Sequence, residues 1–251
     1  MTARLQGRTA LVTGSTDGIG AGIARALAHE GAFVVVSGRN AARGEKVVAE
    51  IAERGGAAAF VGVDLADGIS AARELADVAQ AAAGGPIDIL VNNAAMLIAP
   101  GPTAEIGEEL IDGALAVNVK SVMLLTGQIA PGMAARGNGA IVNVGSINGL
   151  VGMAGSALYS ATKAAIHSLT KSWAAEYGPA GVRVNTIAPG PTTTERNAAF
   201  ADHIAPIVER APSRRMSTVD EVGQVVVFLA SDDASGIHGA TLSVDGGLSA
   251  V

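Results

Sequence analysis

The chain contains no cysteine, so it has no disulfide framework, no thiolate nucleophile and no cysteine-held metal, and it suits a reducing compartment such as the cytoplasm. It is also short of clustered positive charge. Seventeen Lys and Arg stand against 23 Asp and Glu, a net charge of −6, and the one adjacent basic pair is Arg214-Arg215. A surface that grips a phosphate backbone needs grouped cations, so nucleic acid is not expected as a partner. The four histidines, His29, His167, His203 and His238, have no ligand spacing, and no metal is expected. Residues 1–8 lack the apolar core of a secretory signal. The longest uncharged stretch, 137–162, is interrupted by Asn138, Asn143, Ser146, Asn148 and glycines, which makes it buried or site-lining and gives no membrane span.

What remains is the composition of an ordinary globule: 251 residues, 49% hydrophobic and 16% charged. That length is compatible with one domain or two, and α/β chains of this size are commonly single, so one domain is expected. Short β-branched runs recur at 9–13, 33–37, 58–63, 87–91, 140–144, 182–188 and 240–244, with helical periodicity at 19–30, 40–54, 70–82, 107–136, 156–177 and 218–230. Runs apolar on both faces, such as 33–36, belong in a central sheet covered on each side. The alternation predicts an α/β fold of Rossmann type, a doubly wound, seven-stranded parallel sheet with helices on both faces. The segment 189–216 has no strong periodicity and the length of a functional lid.

Chemistry concentrates at two places. The first strand runs into Gly14-Ser15-Thr16-Asp17-Gly18-Ile19-Gly20 and then a helix, which puts glycines where a backbone must turn tightly and approach an anion. Gly14 permits the turn, Gly18 removes a side chain that would block phosphates, and Gly20 lets the helix pack closely with its N–H groups facing the ligand. The second place is Tyr159 and Lys163, four apart and therefore on one helical face. A charge about 4 Å from the phenol, at an effective dielectric of about 20, is worth roughly 4 kcal/mol, or about 3 pK units before desolvation opposes it. Such a phenol exchanges protons near neutrality.

With Ser146 just past a strand and Asn118 in the preceding long helix, the chain resembles the short-chain dehydrogenase/reductase superfamily over essentially all of residues 5–247. Asp64, Asn92-Asn93-Ala94, Pro189-Gly190 and Val244-Asp245-Gly246-Gly247 fall in the family's order. The resemblance implies that Tyr159 is the general acid and base and that Lys163 lowers its pKa and holds the nicotinamide ribose. It further implies that Ser146 bonds the substrate oxygen and that Asn118 positions a relay water. Asp64, with Leu65 beside it, would meet the adenine; Asn92 and Ala94 would border the cofactor, with Pro189 and Gly190 after the sixth strand; and Thr192 and Thr194 would face the carboxamide. Ala95, where the family usually has glycine, and His238 depart from the pattern.

After the second strand, 37–40 reads Ser-Gly-Arg-Asn, with no carboxylate for ribose hydroxyls and with Arg39 suited to a 2′-phosphate, so NADP(H) is favoured over NAD(H). Asp17 stands against this, because NADP-preferring relatives often carry a cation there. The substrate wall is expected from Met96, Gly149, Leu150, Val151, Met153 and the lid, with Glu195, Arg196 and Asp202 as its nearest charges. A ketone, a β-ketoacyl thioester, a steroid-like ring or a polyol all fit that wall. A small carbonyl or alcohol substrate, a 3-oxoacyl-type ketoreductase activity and a homotetramer are what the resemblance implies. The alternatives are an NAD-dependent alcohol or polyol dehydrogenase and a non-catalytic dinucleotide-binding regulator. A sugar-nucleotide epimerase is disfavoured by chain length, and an enoyl reductase by the three residues between Tyr159 and Lys163 where six are usual.

Overall fold

The computed structural model describes residues 3–198 and 200–251; the side chains of Arg196 and His203 lie outside what is described. Seven strands form one parallel sheet in the order β3-β2-β1-β4-β5-β6-β7. They are β1 (Thr9–Val12), β2 (Phe33–Gly38), β3 (Ala57–Gly62), β4 (Ile89–Asn92), β5 (Gly139–Val144), β6 (Val182–Pro189) and β7 (Thr241–Val244). Chain direction across the sheet reverses between β1 and β4, so the crevice beyond their carboxyl ends is where ligands bind in such sheets.

Strand residues alternate between two cores because successive side chains point to opposite faces. Ala10, Val12, Val34, Val36, Ile89 and Val91 pack with α1 (Gly18–His29), α2 (Ala41–Glu53) and α9 (Val219–Ala230). Leu11, Val35, Leu90 and Ile141 pack with α3 (Ile69–Ala83), α5 (Ser121–Arg136) and α6 (Ala157–Tyr177). The expected doubly wound layers are therefore present. Thr218 and Glu221 form the capping box that starts α9.

Two segments differ from expectation. The single helix expected over 107–136 is α4 (Glu108–Leu115), a π-helical turn (Ala116–Lys120) and α5, with Asn118 inside the turn. A π turn inserts one residue within a single turn, a phase shift too local to stand out against the periodicity of the helices on either side. The continuous run Glu108–Arg136 is long and apolar enough to cross a membrane, yet Val122, Leu125, Ile129 and Met133 of α5 are buried against the sheet. The aperiodic stretch 189–216 contains α7 (Glu195–Ala198) and α8 (Ala201–Val208). One is a single turn and the other carries Pro206, so neither is long enough to show a period. A parallel bridge between Thr192 and Ser217 closes the base of this segment.

Candidate active site

The catalytic groups expected from the sequence, Asn118 included, and Asp64 lie at or just beyond the carboxyl edge of the sheet or on the helices that flank it. At the end of β1, Gly14 has φ +60° and Gly18 φ +52°. A Cβ at Gly14 would sit 2.8 Å from the Ala94 backbone, and one at Gly20 would be 2.4 Å from both the Gly14 carbonyl and Asn93 Nδ2. Gly20 thus allows the loop to close on itself, which is tighter than helix packing alone. Asn93 holds that loop, donating from Nδ2 to the Thr13 and Gly14 carbonyls at 2.8 and 2.9 Å, while Thr13 Oγ1 accepts from the N–H groups of Asn93 and Ala94. The sequence reading placed Asn92 and Ala94 at the cofactor and gave Asn93 no role. Its place between them in a strand-end Asn-Asn pair was the available signal.

The Asn92 side chain faces inward. Its Nδ2 donates to Thr126 Oγ1 and Asn143 Oδ1, Asn143 passes a bond to Thr170, and Thr170 meets Thr186. All five are buried, so a satisfied polar chain ties β4, β5 and β6 to α5 and α6. At the other end of the chain, Asp245 accepts from the N–H groups of Gly247 and Ser249 and packs on Gly190, where a Cβ would lie 2.8 Å from Asp245 Cβ. The Val-Asp-Gly-Gly motif therefore shapes the turn after β6.

Tyr159, Lys163 and Ser146 come together. Ser146 follows β5, caps a short 3₁₀ turn by accepting from Asn148 N–H, and its side chain faces the Tyr159 hydroxyl closely enough to favour the ionised phenol. Lys163 is 4% exposed, its Nζ donates to the Val144 carbonyl at 2.8 Å, and it lies 5.6 Å from the centre of the Tyr159 ring. Burial pushes the Tyr159 pKa up and Ser146 partly offsets it. Burial also draws Lys163 down to about 8. The expectation that Lys163 lowers the phenol's pKa is thus reversed in this arrangement: desolvation acts on both groups, and the ammonium is turned toward a carbonyl.

Asn118 is buried in the π turn. Its Oδ1 accepts from Met96 N–H at 2.6 Å, and its Nδ2 donates to the Met96 carbonyl and to Thr162 Oγ1. The side chain clamps the loop after β4 to α6, so its amide is already committed to protein partners. Beyond Ser146 lies a cleft of about 170 Å³ lined by Ile147, Asn148, Met153, Pro191, Asn197, Ile204 and Ile207. Among the described residues, none that lines it is charged. Leu150 and Val151, expected in this wall, are instead exposed, because the 3₁₀ turn carries them outward. Thr192 is buried and its carbonyl accepts from Asn197 Nδ2. Thr194 reaches the glycine loop, 3.6 Å from where a Gly18 Cβ would be.

At the far end of the crevice, Arg39 lies 3.6 Å from Asp64, and Arg43 is 3.0 Å from Asp17. Asp64 also caps its own turn, accepting from Ala66 N–H, with Leu65 buried behind it. Residues 37–40 contain no carboxylate, but folding brings Asp64 beside Arg39 and Asp17 beside the nearby Arg43. Arg43, unassigned from the sequence, sits on the first turn of α2 and faces the glycine loop. Among the described residues, no group of three His, Asp or Glu is placed to hold a metal.

Residues 14–249 match the family described as enoyl-(acyl carrier protein) reductase. The cis-4-hydroxycyclohexanecarboxylate dehydrogenase of Sinomonas cyclohexanicum is 41% identical over 97% of this chain and 97% of its own. An acetoacetyl-CoA reductase of Allochromatium vinosum is 39% identical over 96% and 98%. A crystal structure of a 3-oxoacyl (acyl-carrier-protein) reductase from Agrobacterium tumefaciens C58, with NADP bound, superposes with a TM-score of 0.91 at 36% identity, covering 98% of this chain and 95% of that one. The chain belongs to the short-chain dehydrogenase/reductase superfamily. It is an oxidoreductase acting on CH–OH or carbonyl groups.

Members of this superfamily bind a nicotinamide dinucleotide, and the cradle has the form such a ligand needs. A Cβ on Gly18 would meet the Thr194 side chain at 3.6 Å, so the glycine loop and the segment after β6 touch there. The N-terminus of α1 begins at this loop, the arrangement in which a helix holds an anion such as a pyrophosphate.

The depressed Lys163 has a thermodynamic consequence. Below pH 8 the lysine is charged folded and unfolded, and the burial cost is fully present. Between about 8 and its unfolded value near 10.4, the folded protein has lost a proton that the unfolded chain retains, so stability rises with pH. The difference in unfolding free energy between wild type and Lys163→Met, followed by urea denaturation, is expected to climb by about 3 kcal/mol in favour of wild type across that window. A difference that stays flat contradicts a buried ammonium.

Proposed function

We propose that this chain forms one dinucleotide-binding domain, with 189–216 as its substrate lid, and works as an NADP(H)-dependent ketoreductase of 3-oxoacyl type. The observation that carries the reading is that the Ser146 and Tyr159 side chains face one another above buried Lys163 and open on a cleft whose described lining is mostly apolar. Bound nicotinamide supplies or accepts the hydride. Tyr159 Oη gives its proton to the carbonyl oxygen, while Ser146 Oγ donates a hydrogen bond to the same oxygen as charge develops on it. A phenol whose pKa burial has raised holds its proton at neutral pH, which fits the reductive direction. Lys163 returns a proton to the phenolate side of the site, and Asn118 holds the Met96 loop that borders it. Met153, Ile147 and Ile207 suit an acyl or ring substrate without charge near the ketone.

NADP(H) is favoured because Arg39 and Arg43 both stand at the adenosine end, exposed and able to fork a 2′-phosphate. Asp17 and Asp64 beside them carry the second reading, an NAD(H)-dependent alcohol dehydrogenase that uses a carboxylate for the ribose. The proposed setting is cytoplasmic, with neither membrane nor nucleic acid as partner. A homotetramer is the proposed assembly. Its support is an open groove lined by Leu115, Ala116, Val119, Met123 and Leu124 with Asp112 and Lys120 among them, where Leu115 and Met123 are 43% and 48% exposed.

Three outcomes test these assignments. Following nicotinamide absorbance over a panel of ketones and alcohols, wild type should turn over a β-ketoacyl thioester, and Tyr159→Phe should lose at least about a hundredfold of kcat. Full turnover in that variant would remove Tyr159 from the mechanism, and no turnover by wild type with any substrate would leave the regulator reading. Arg39→Asp should invert the NADPH/NADH ratio of kcat/KM; an unmoved ratio assigns the selector elsewhere. Light scattering should give four times the 24.8 kDa chain mass, and a monomer at micromolar concentration would refute the tetramer.

A further inference from the structure

His167 follows Lys163 by one helical turn and Tyr159 by two, so the three share a face of α6. The imidazole is 5% exposed and is packed beneath the turn that carries Ser146. A Cβ on Gly145 would lie 2.2 Å from Nε2, and one on Gly149 would lie 2.9 Å from Cε1, so the ring is pressed against backbone on both sides of Ser146. Ser146 N–H donates to Nε2 at 3.4 Å. A nitrogen that accepts carries no proton, which places the ring proton on Nδ1. Nδ1 is buried with no hydrogen-bond partner, and the Gly149 backbone approaches the ring without closing a bond to it. Burial, together with the positive charges of Lys163 and Lys171 on the same helix, holds the pKa below the ordinary histidine value, so the ring is neutral at neutral pH.

This is a costly way to fill space. A buried N–H without a partner costs about 1–3 kcal/mol, and an apolar side chain of similar size would avoid that cost. The one thing an apolar side chain could not provide is an acceptor for the Ser146 amide. We infer that His167 is a positioning residue: its Nε2 holds the main chain of Ser146 and so keeps the Ser146 hydroxyl aimed at Tyr159 and the substrate oxygen. The inference rests on the reading of Ser146 as the donor to that oxygen.

Methionine and glutamine are close in length and volume, and only glutamine offers an accepting oxygen, so His167→Met and His167→Gln separate filling from positioning. Both are made in the full chain, beside Ser146→Ala. Turnover, thermal stability and nicotinamide dinucleotide binding by fluorescence titration are read for each. Loss of one hydrogen bond to a group that acts in the transition state should lower kcat of His167→Met about tenfold at nearly unchanged KM and cofactor affinity, with stability equal to or above wild type. His167→Gln should keep kcat within about threefold of wild type, because an acceptor is restored. If His167→Met does not fold, His167→Leu repeats the acceptor-free arm. Equal kcat in the glutamine and acceptor-free variants, with Ser146→Ala inactive, overturns the positioning role alone. Full activity of Ser146→Ala overturns the reading of Ser146 on which it stands.

Discussion

The ammonium of Lys163 is almost fully removed from water and is held by a single carbonyl, that of Val144 at the end of β5. Removing a charge from water in this way is expensive, and the surroundings are arranged around that cost. The same desolvation that weakens the lysine's hold on its proton strengthens that of Tyr159, so two groups of nearly equal ordinary acidity are driven apart and the ammonium becomes the stronger acid. The burial requires α6 to lie hard against β5 and β6. The polar chain through Asn92, Asn143, Thr170 and Thr186 anchors that contact, since each of its members would be an unpaired buried group if the helix moved away.

Close backbone approach is the second constraint, and it shapes the dinucleotide end. The loop after β1 folds back so tightly that Gly14, Gly20, Asn93 and Ala94 are in contact, while Gly18 faces the Thr194 side chain at ordinary contact distance. Thr194 reaches it from a segment nearly two hundred residues later in sequence. At the adenosine end, two arginines and two aspartates balance in charge. On the proposed reading, discrimination between dinucleotides there rests on how readily each guanidinium exchanges its carboxylate for a phosphate, and not on net charge. Exposed pairs of this kind are worth little individually, so the exchange is inexpensive.

Several features were readable in the chain because their cause is local. The parallel sheet follows from β-branched runs apolar on both faces, the capping box at Thr218 from a four-residue pattern, and the nearness of Tyr159 to Lys163 from the pitch of one helix. The glycine cradle belongs with these, since only glycine tolerates φ near +55° at Gly14 and Gly18 without strain. What was not readable has a non-local cause. The π turn at Asn118 shifts the hydrophobic pattern over one turn only, α7 and α8 are too short to display a period, and the outward turn of Leu150 and Val151 depends on the 3₁₀ geometry that Ser146 caps.

Sequence alone determined the fold class, the anion-binding loop and the identity of the hydroxyl, phenol and amine that meet, because periodicity and fixed spacing act within a single element. The protonation of those groups was decided only in three dimensions. A phenol and an ammonium one helical turn apart predict attraction and a lowered pKa, but the depth at which α6 is buried made desolvation the larger effect. The same holds for Arg43 against Asp17 and for His167 beneath Ser146, where partners distant in sequence were brought together by the packing of helices on the sheet.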